Sequence, residues 1–233
     1  MSRYALYFAP EQQSPWWQAG CKWLGRDPAA QRTLEQIRLP HVMPTVLHRL
    51  TNDARRYGFH ATLKAPFRLA EGFDLHALDA ALTAFCAQQQ PVVIPSPQVE
   101  WIGDFLALRP DKHATEAEIN AINTLAMQCV SHFDYLRAPL RPEELARRQQ
   151  QQLSARQLRL LQHWGYPYTA EEYRFHMTLT DALNNTDAAD AIERGARRHF
   201  DIAEPLSIQS IALFVEAAPG DPFTLVRRYS FDG

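Results

Sequence analysis

Two histidines in this 233-residue chain each stand two positions before a threonine inside the same seven-residue frame. His60 precedes Thr62 in Tyr57-Gly58-Phe59-His60-Ala61-Thr62-Leu63, and His176 precedes Thr178 in Tyr173-Arg174-Phe175-His176-Met177-Thr178-Leu179. The histidines lie 116 positions apart, and both heptads read Tyr-x-Phe-His-x-Thr-Leu. In a strand, residues i and i+2 point to one face. Each histidine therefore shares a face with its threonine, while Phe59, Ala61, Leu63, Phe175, Met177 and Leu179 form the core-directed set. Two imidazoles facing one cavity can divide a proton transfer. The neutral one takes a proton from water and the protonated one gives a proton to a leaving oxygen, and an ordinary pKa of about 6.5 makes both forms available near neutrality. Two hydroxyls can donate to non-bridging phosphate oxygens, where transition-state charge develops. The chemistry is that of phosphodiester cleavage, and the scheme requires no metal and no cofactor.

The same alternation extends to Lys64 beside His60 and to Arg174 beside His176. An ammonium and a fork-shaped guanidinium are the usual protein partners of a phosphate. Laying Ala5-Leu6-Tyr7 over Ala107-Leu108-Arg109 makes Tyr7 and Arg109 equivalent. Tyr7 would stack on a base or sugar and Arg109 would contact phosphate. The plain alternatives are a solvated lysine at a strand end and a structural tyrosine. Duplication would preserve structural residues too, but the matched aromatic frames favour function for the four His and Thr side chains.

The elements that must position these residues repeat in order. Tyr4 to Phe8 suits a strand, and Ser14-Pro15-Trp16 opens a helix that Gly25 can end. Tyr57 to Phe67 reads as a strand, Asp74 to Gln89 as an amphipathic helix, and Val92–Ile94 and Val99–Ile102 as extended runs. In the second half come a strand at 105–110, a helix at 115–133, a polar segment at 134–172 and a strand at 175–180. A helix at 187–200 and strands at 206–215 and 223–231 follow, the last two joined through Pro219-Gly220-Asp221. The polar segment contains helices begun at Pro142 and capped by Ser154. The repeated order predicts an internally duplicated α+β fold. It has two lobes of mainly antiparallel sheet flanked by helices around a central cleft, related by a pseudo-two-fold. The expected organisation is a single domain over 1–233, with lobes from repeats of about 1–103 and 104–233.

Composition narrows the partners. A formal charge of −2 and a pI near 6.5 provide no global cationic field for nucleic acid or an anionic membrane. Cys21, Cys86 and Cys129 are widely spaced and odd in number, which fits neither a disulfide framework nor a zinc site. The start MSRYALYFAP has no signal-peptide pattern, and no run of about 18 apolar residues occurs, so a cytoplasmic location is expected. The remaining histidines lack ligand spacing. Trp16, Trp17 and Trp23 follow a helical core period. The arginines between 141 and 159 suit a solvated helix face, with a cover over the cleft as the alternative.

At this point the chain resembles the two-histidine (2H) phosphoesterase superfamily, defined by a duplicated His-x-Thr/Ser motif on facing lobes. The string Arg55-Arg56-Tyr57-Gly58-Phe59-His60-Ala61-Thr62-Leu63-Lys64-Ala65-Pro66-Phe67 and the second heptad are more narrowly similar to uncharacterised, DUF1045-like proteins associated with bacterial phosphonate-utilisation operons. The resemblance implies hydrolysis of a cyclic phosphodiester, or related transfer and ligation, without a metal. It implies His60 and His176 as the acid-base pair and Thr62 and Thr178 as phosphate-oxygen donors. The operon association implies a phosphorylated sugar or cyclic ribose phosphate as the small substrate. Two rivals use the same side chains: an RNA-end 2′,3′-cyclic phosphodiesterase or ligase, which the near-neutral surface does not favour, and a non-catalytic module that binds a phosphorylated metabolite. The oligomeric state is left open.

Overall fold

Capping residues fix where the first elements begin and end. Strand β1 (Arg3–Phe8) runs into Pro10, and Ser14 then caps α1 (Pro15–Leu24) by accepting the Trp16 N–H at 3.2 Å. Pro15 sits in the first turn, where its missing N–H costs nothing, and Gly25 closes the helix at φ 73°. The computed structural model describes residues 2–149, 152–184 and 186–232.

The first half continues with β2 (Arg26–Asp27), β3 (Arg32–Thr33), α2 (Pro44–Arg49), α3 (Asn52–Tyr57) and β4 (Ala61–Phe67). Then come α4 (Leu75–Cys86), capped by Asp74, and β5 (Val92–Ile94) and β6 (Gln98–Ile102). The second half holds β7 (Phe105–Arg109), α5 (Glu116–His132), α6 (Pro142–Gln149), α7 (Ala155–Trp164) and β8 (Met177–Thr178). It ends with α8 (Ala189–His199), β9 (Leu206–Ile208), β10 (Ser210–Glu216) and β11 (Thr224–Ser230). Reciprocal capping boxes, Thr115 with Glu118 and Ser154 with Gln157, start α5 and α7.

The α+β architecture and its antiparallel sheets are as the repeated pattern predicts. The two sheets meet edge to edge, giving seven strands in the order β11-β10-β1-β4-β8-β7-β6. Equivalent strands pair across the middle: β4 meets β8 at Ala61 and Met177, the same position of the two heptads, and β5 meets β9 antiparallel. The approximate two-fold passes between these pairs. The repeats also exchange their last strands. First-half β6 lies beside β7, and β10 with β11 lies beside β1. The β6–β7 pairing is a hairpin closed by Gly103-Asp104, with Ile102 opposite Phe105, whereas β1 with β10 joins opposite ends of the chain.

The strands around the heptads are shorter than their pattern predicts. Tyr57 ends α3 rather than starting a strand, and β4 begins only at Ala61, while β8 is confined to Met177 and Thr178. The core-directed set holds all the same, since Phe59, Ala61, Leu63, Met177 and Leu179 are at most 1% exposed and Phe175 is buried. Trp16, Trp17 and Trp23 are core residues as expected.

Helix α1 anchors both heptads. At Gly20 a Cβ would fall 2.1 Å from the Phe59 ring, so only glycine lets α1 settle on it. One turn on, the Trp23 indole donates to the Leu179 carbonyl at 2.8 Å. Asp181, just past the second heptad, accepts the Asp53 and Ala54 N–H groups at 3.2 Å each and so caps the helix leading to the first.

Candidate active site

Antiparallel pairing at Ala61 and Met177 places the next residue on each side opposite its counterpart, so His60 faces Thr178 and Thr62 faces His176. Ala61 and Met177 point into the core, and the four polar residues share the opposite face, each partly exposed. On the flanking strands, Tyr7 is opposite Thr62 and Ala107 is opposite Thr178. Continuing β7 by two residues brings Arg109 opposite His176.

This register corrects one expected equivalence. Tyr7 corresponds to Ala107, and Arg109 to Ala9. A two-residue slip keeps every side chain on its face, so alternation alone does not detect it. Both residues nevertheless reach the site. The Tyr7 ring stacks on His60 with centroids 3.7 Å apart and planes at 21°. Arg109 is close enough for its charge to oppose protonation of His176.

Both imidazoles are held alike. His60 Nδ1 donates to the Gly58 carbonyl at 2.8 Å and His176 Nδ1 to the Arg174 carbonyl at 2.7 Å. With a carbonyl as partner, Nδ1 carries the hydrogen, and Nε2 is left as the proton-accepting atom of the neutral ring. His60 Nε2 is 3.3 Å from Thr62 Oγ1, which donates to it. Gly58 has φ 84° and ψ 172°, a backbone shape reserved for glycine, and a Cβ there would fall 2.9 Å from Pro28 Cγ. That shape turns the Gly58 carbonyl onto the imidazole.

Burial lowers the His60 pKa to about 4, with the neighbouring His176 lowering it further and the Gly58 carbonyl opposing. His176 is also lowered, by burial first and then by Arg109, against the Arg174 carbonyl. Both rings are thus neutral near pH 7, a departure from the mixed protonation that ordinary histidines would have. A bound phosphate anion between them would favour the protonated form and restore one imidazolium.

Two expected phosphate ligands are occupied elsewhere. Lys64 is buried, and its ammonium donates to the Val130 carbonyl at 2.9 Å and to Asp134 at 3.3 Å. A bulge in the pairing of β4 with β1, where Leu6 faces Lys64 but Tyr7 faces Thr62, breaks the two-residue rhythm that put Lys64 with His60. The Arg174 guanidinium folds back onto the Glu171 and Tyr173 carbonyls at 2.7 Å each, outside any strand, so alternation does not govern it. Arg109 remains suited to an anion. One of its terminal nitrogens meets Glu100 at 3.1 Å, and its buried Nε has no hydrogen-bond partner.

Near Tyr7, residues outside the heptads, Glu216 and Arg3, join Tyr57 of the first heptad. Glu216 is fully buried and is gripped by Arg3 and Arg56, and it also accepts the Gly220 N–H at 3.0 Å. The Tyr57 ring stacks on Phe223 at 5.1 Å and lies 6.3 Å from the His60 ring. An acidic residue ending the apolar run Ser-Ile-Ala-Leu-Phe-Val-Glu was the available signal for this network, since buried carboxylates need partners. Among the described residues, no group of three His, Cys, Asp or Glu side chains gathers as metal ligands would. Nor, among them, is any helix long and apolar enough to cross a membrane.

Residues 62–224 match the family described as "Protein of unknown function (DUF1045)". A protein of Janthinobacterium sp. (strain Marseille), named ribose 1,5-bisphosphate phosphokinase PhnN, is 50% identical over 238 residues. That match covers 100% of this chain and 51% of the relative. A protein of the same name from Laribacter hongkongensis (strain HLHK9) is 37% identical, over 97% of this chain and 51% of its own length. The chain therefore spans about half the length of the curated relatives it matches. Crystal structures of E. coli LigT with 3′-AMP and with NADP+ align over 100% of this chain and 99% of theirs. Their TM-scores are 0.42 and 0.38 at 11% identity, a level at which neither fold nor activity transfers.

Proposed function

The chain belongs to the DUF1045 family, and from its own site we propose that it is a 2H-type cyclic phosphodiesterase acting on a small cyclic phosphate through paired-histidine acid-base catalysis. The observation that carries this reading is the pairing of Ala61 with Met177, which sets each His across from the other copy's Thr. In the proposed reaction one neutral imidazole takes a proton from water at Nε2 as the water oxygen bonds to phosphorus. The other imidazole, protonated when the anion binds, gives its Nε2 proton to the ring oxygen as the P–O bond breaks. The product is a phosphate monoester beside a free hydroxyl, and the net change is the addition of one water. Thr62, Thr178 and Arg109 stabilise the charge gathering on the non-bridging oxygens. Tyr7 orients His60 and keeps water from its ring face.

The substrate class we favour is a ribose cyclic phosphate connected with phosphonate breakdown. The name of the two longer relatives, which concerns a doubly phosphorylated ribose, supports a phosphorylated sugar. We do not extend the kinase part of that name to this chain, whose sequence has no Gly-x-x-x-x-Gly-Lys-Ser/Thr phosphate loop. A turnover screen of the purified protein tests the proposal, using 2′,3′-cyclic nucleotides, ribose 1,2-cyclic phosphate and cyclic-ended RNA. Opening of a small cyclic phosphate is the expected result. Tight binding with no turnover across the panel would instead identify a binding module.

A further inference from the structure

A cavity near the site is lined by cations although the chain as a whole is not cationic. Tyr57, one ring away from His60, also lines a cavity of about 770 Å³ whose walls carry Arg3, Arg56, Arg68, Arg141 and Arg147. The acids there are Glu143 and Glu144, with Glu216 held by Arg3 and Arg56. Five guanidiniums against three carboxylates leave an excess of two positive charges. The whole chain has a formal charge of −2, so the remainder of the protein stands at −4.

Internal pairs fix the cavity's shape. Arg3 and Arg56 share the one buried carboxylate of Glu216, and the Arg56 guanidinium lies 4.9 Å from the centre of the Tyr57 ring. Arg68 meets both oxygens of Glu144 at 2.6 and 2.7 Å. Arg147 projects exposed from α6. The volume is that of a small-ligand site, and clustered guanidiniums with planar forks are the side chains best suited to phosphate oxygens. Two surplus charges match a phosphate monoester. A formal charge of −4 over the remaining residues provides no global cationic field for a nucleic acid.

We propose that the arginine cavity holds a second, terminal phosphate of the substrate, a monoester one sugar ring away from the phosphodiester that His60 and His176 open. The inference rests on the proposed hydrolytic reading. It makes the substrate a sugar or nucleoside that carries both a cyclic phosphate and a monoester phosphate.

Calorimetric titration of the full chain with ribose 5-phosphate and with ribose tests the cavity separately from turnover. Ribose 5-phosphate binds and ribose does not. Arg147→Gln weakens that binding about tenfold, the loss expected for one charge-assisted contact, and Arg141→Gln added to it weakens binding further. His176→Asn retains it. Thermal melting of the Arg147 and Arg141 variants, both at exposed positions, checks that they remain folded. Equal binding of the two sugars, no binding of either, or unchanged affinity in the double arginine variant overturns the proposal. Failure of the hydrolytic reading, with no cyclic phosphate turned over by the wild type, leaves the binding result standing, so the two failures are distinguishable.

Discussion

Burial lowers the His60 pKa, and the Tyr7 ring stacked on it at 3.7 Å covers one face of the imidazole. Replacing Tyr7 with leucine keeps an apolar residue in β1 but opens one face of the imidazole to water. The His60 titration, followed by its ring proton resonances, then moves up from about 4 towards the ordinary 6.5. An unmoved titration would show that Tyr7 does not control it. The His and Thr positions were legible in the sequence because each pair is local and written twice. Lys64 and Arg174 were misplaced because alternation was extended past a bulge in one copy and past the end of the strand in the other. Arg109 was recovered through a misaligned equivalence whose two-residue error preserved the face.

At the scale of elements, two glycines hold the first heptad in place. Gly20→Ala drives a methyl into the Phe59 ring, and overpacking of this kind costs roughly 1–3 kcal/mol. Gly58→Ala imposes a side chain on a glycine-only backbone shape, again at about 1–3 kcal/mol, and displaces the carbonyl that anchors His60. Urea denaturation should show both losses. The Gly58 variant should also lose turnover beyond its loss of stability, because it alone disturbs the imidazole's partner. Helix starts were readable from Ser14-Pro15 and Ser154, since a cap is a local signal. The pairing of β10 with β1 was not, because residues more than 200 positions apart are brought together only by the assembled sheet, whereas β6 and β7 are joined locally through Gly103-Asp104.

The whole molecule is built around the pairing of its two copies, and the partly exposed histidines at that junction, both with lowered pKa, couple its stability to pH. A histidine whose pKa is lower folded than unfolded binds more protons in the unfolded chain between the two values. Its stabilising contribution is therefore present above the unfolded value of about 6.5 and is lost as pH falls towards the folded value. For His60 that window runs from about 6.5 down to about 4, and His176 is shifted in the same direction. Chemical denaturation across this range should show stability falling on acidification. His60→Asn with His176→Asn should flatten the slope, whereas an unchanged slope would place the titrating groups elsewhere.

The central claim is that two histidines, one from each copy, carry a single proton-transfer reaction. Phosphorus NMR of a cyclic phosphate incubated with wild type, His60→Asn and His176→Asn tests it most directly. The wild type should convert the cyclic phosphate signal to that of a monoester, and each variant should lose about 100-fold or more in rate while its circular dichroism stays that of the folded chain. Full conversion by either folded variant would contradict the account.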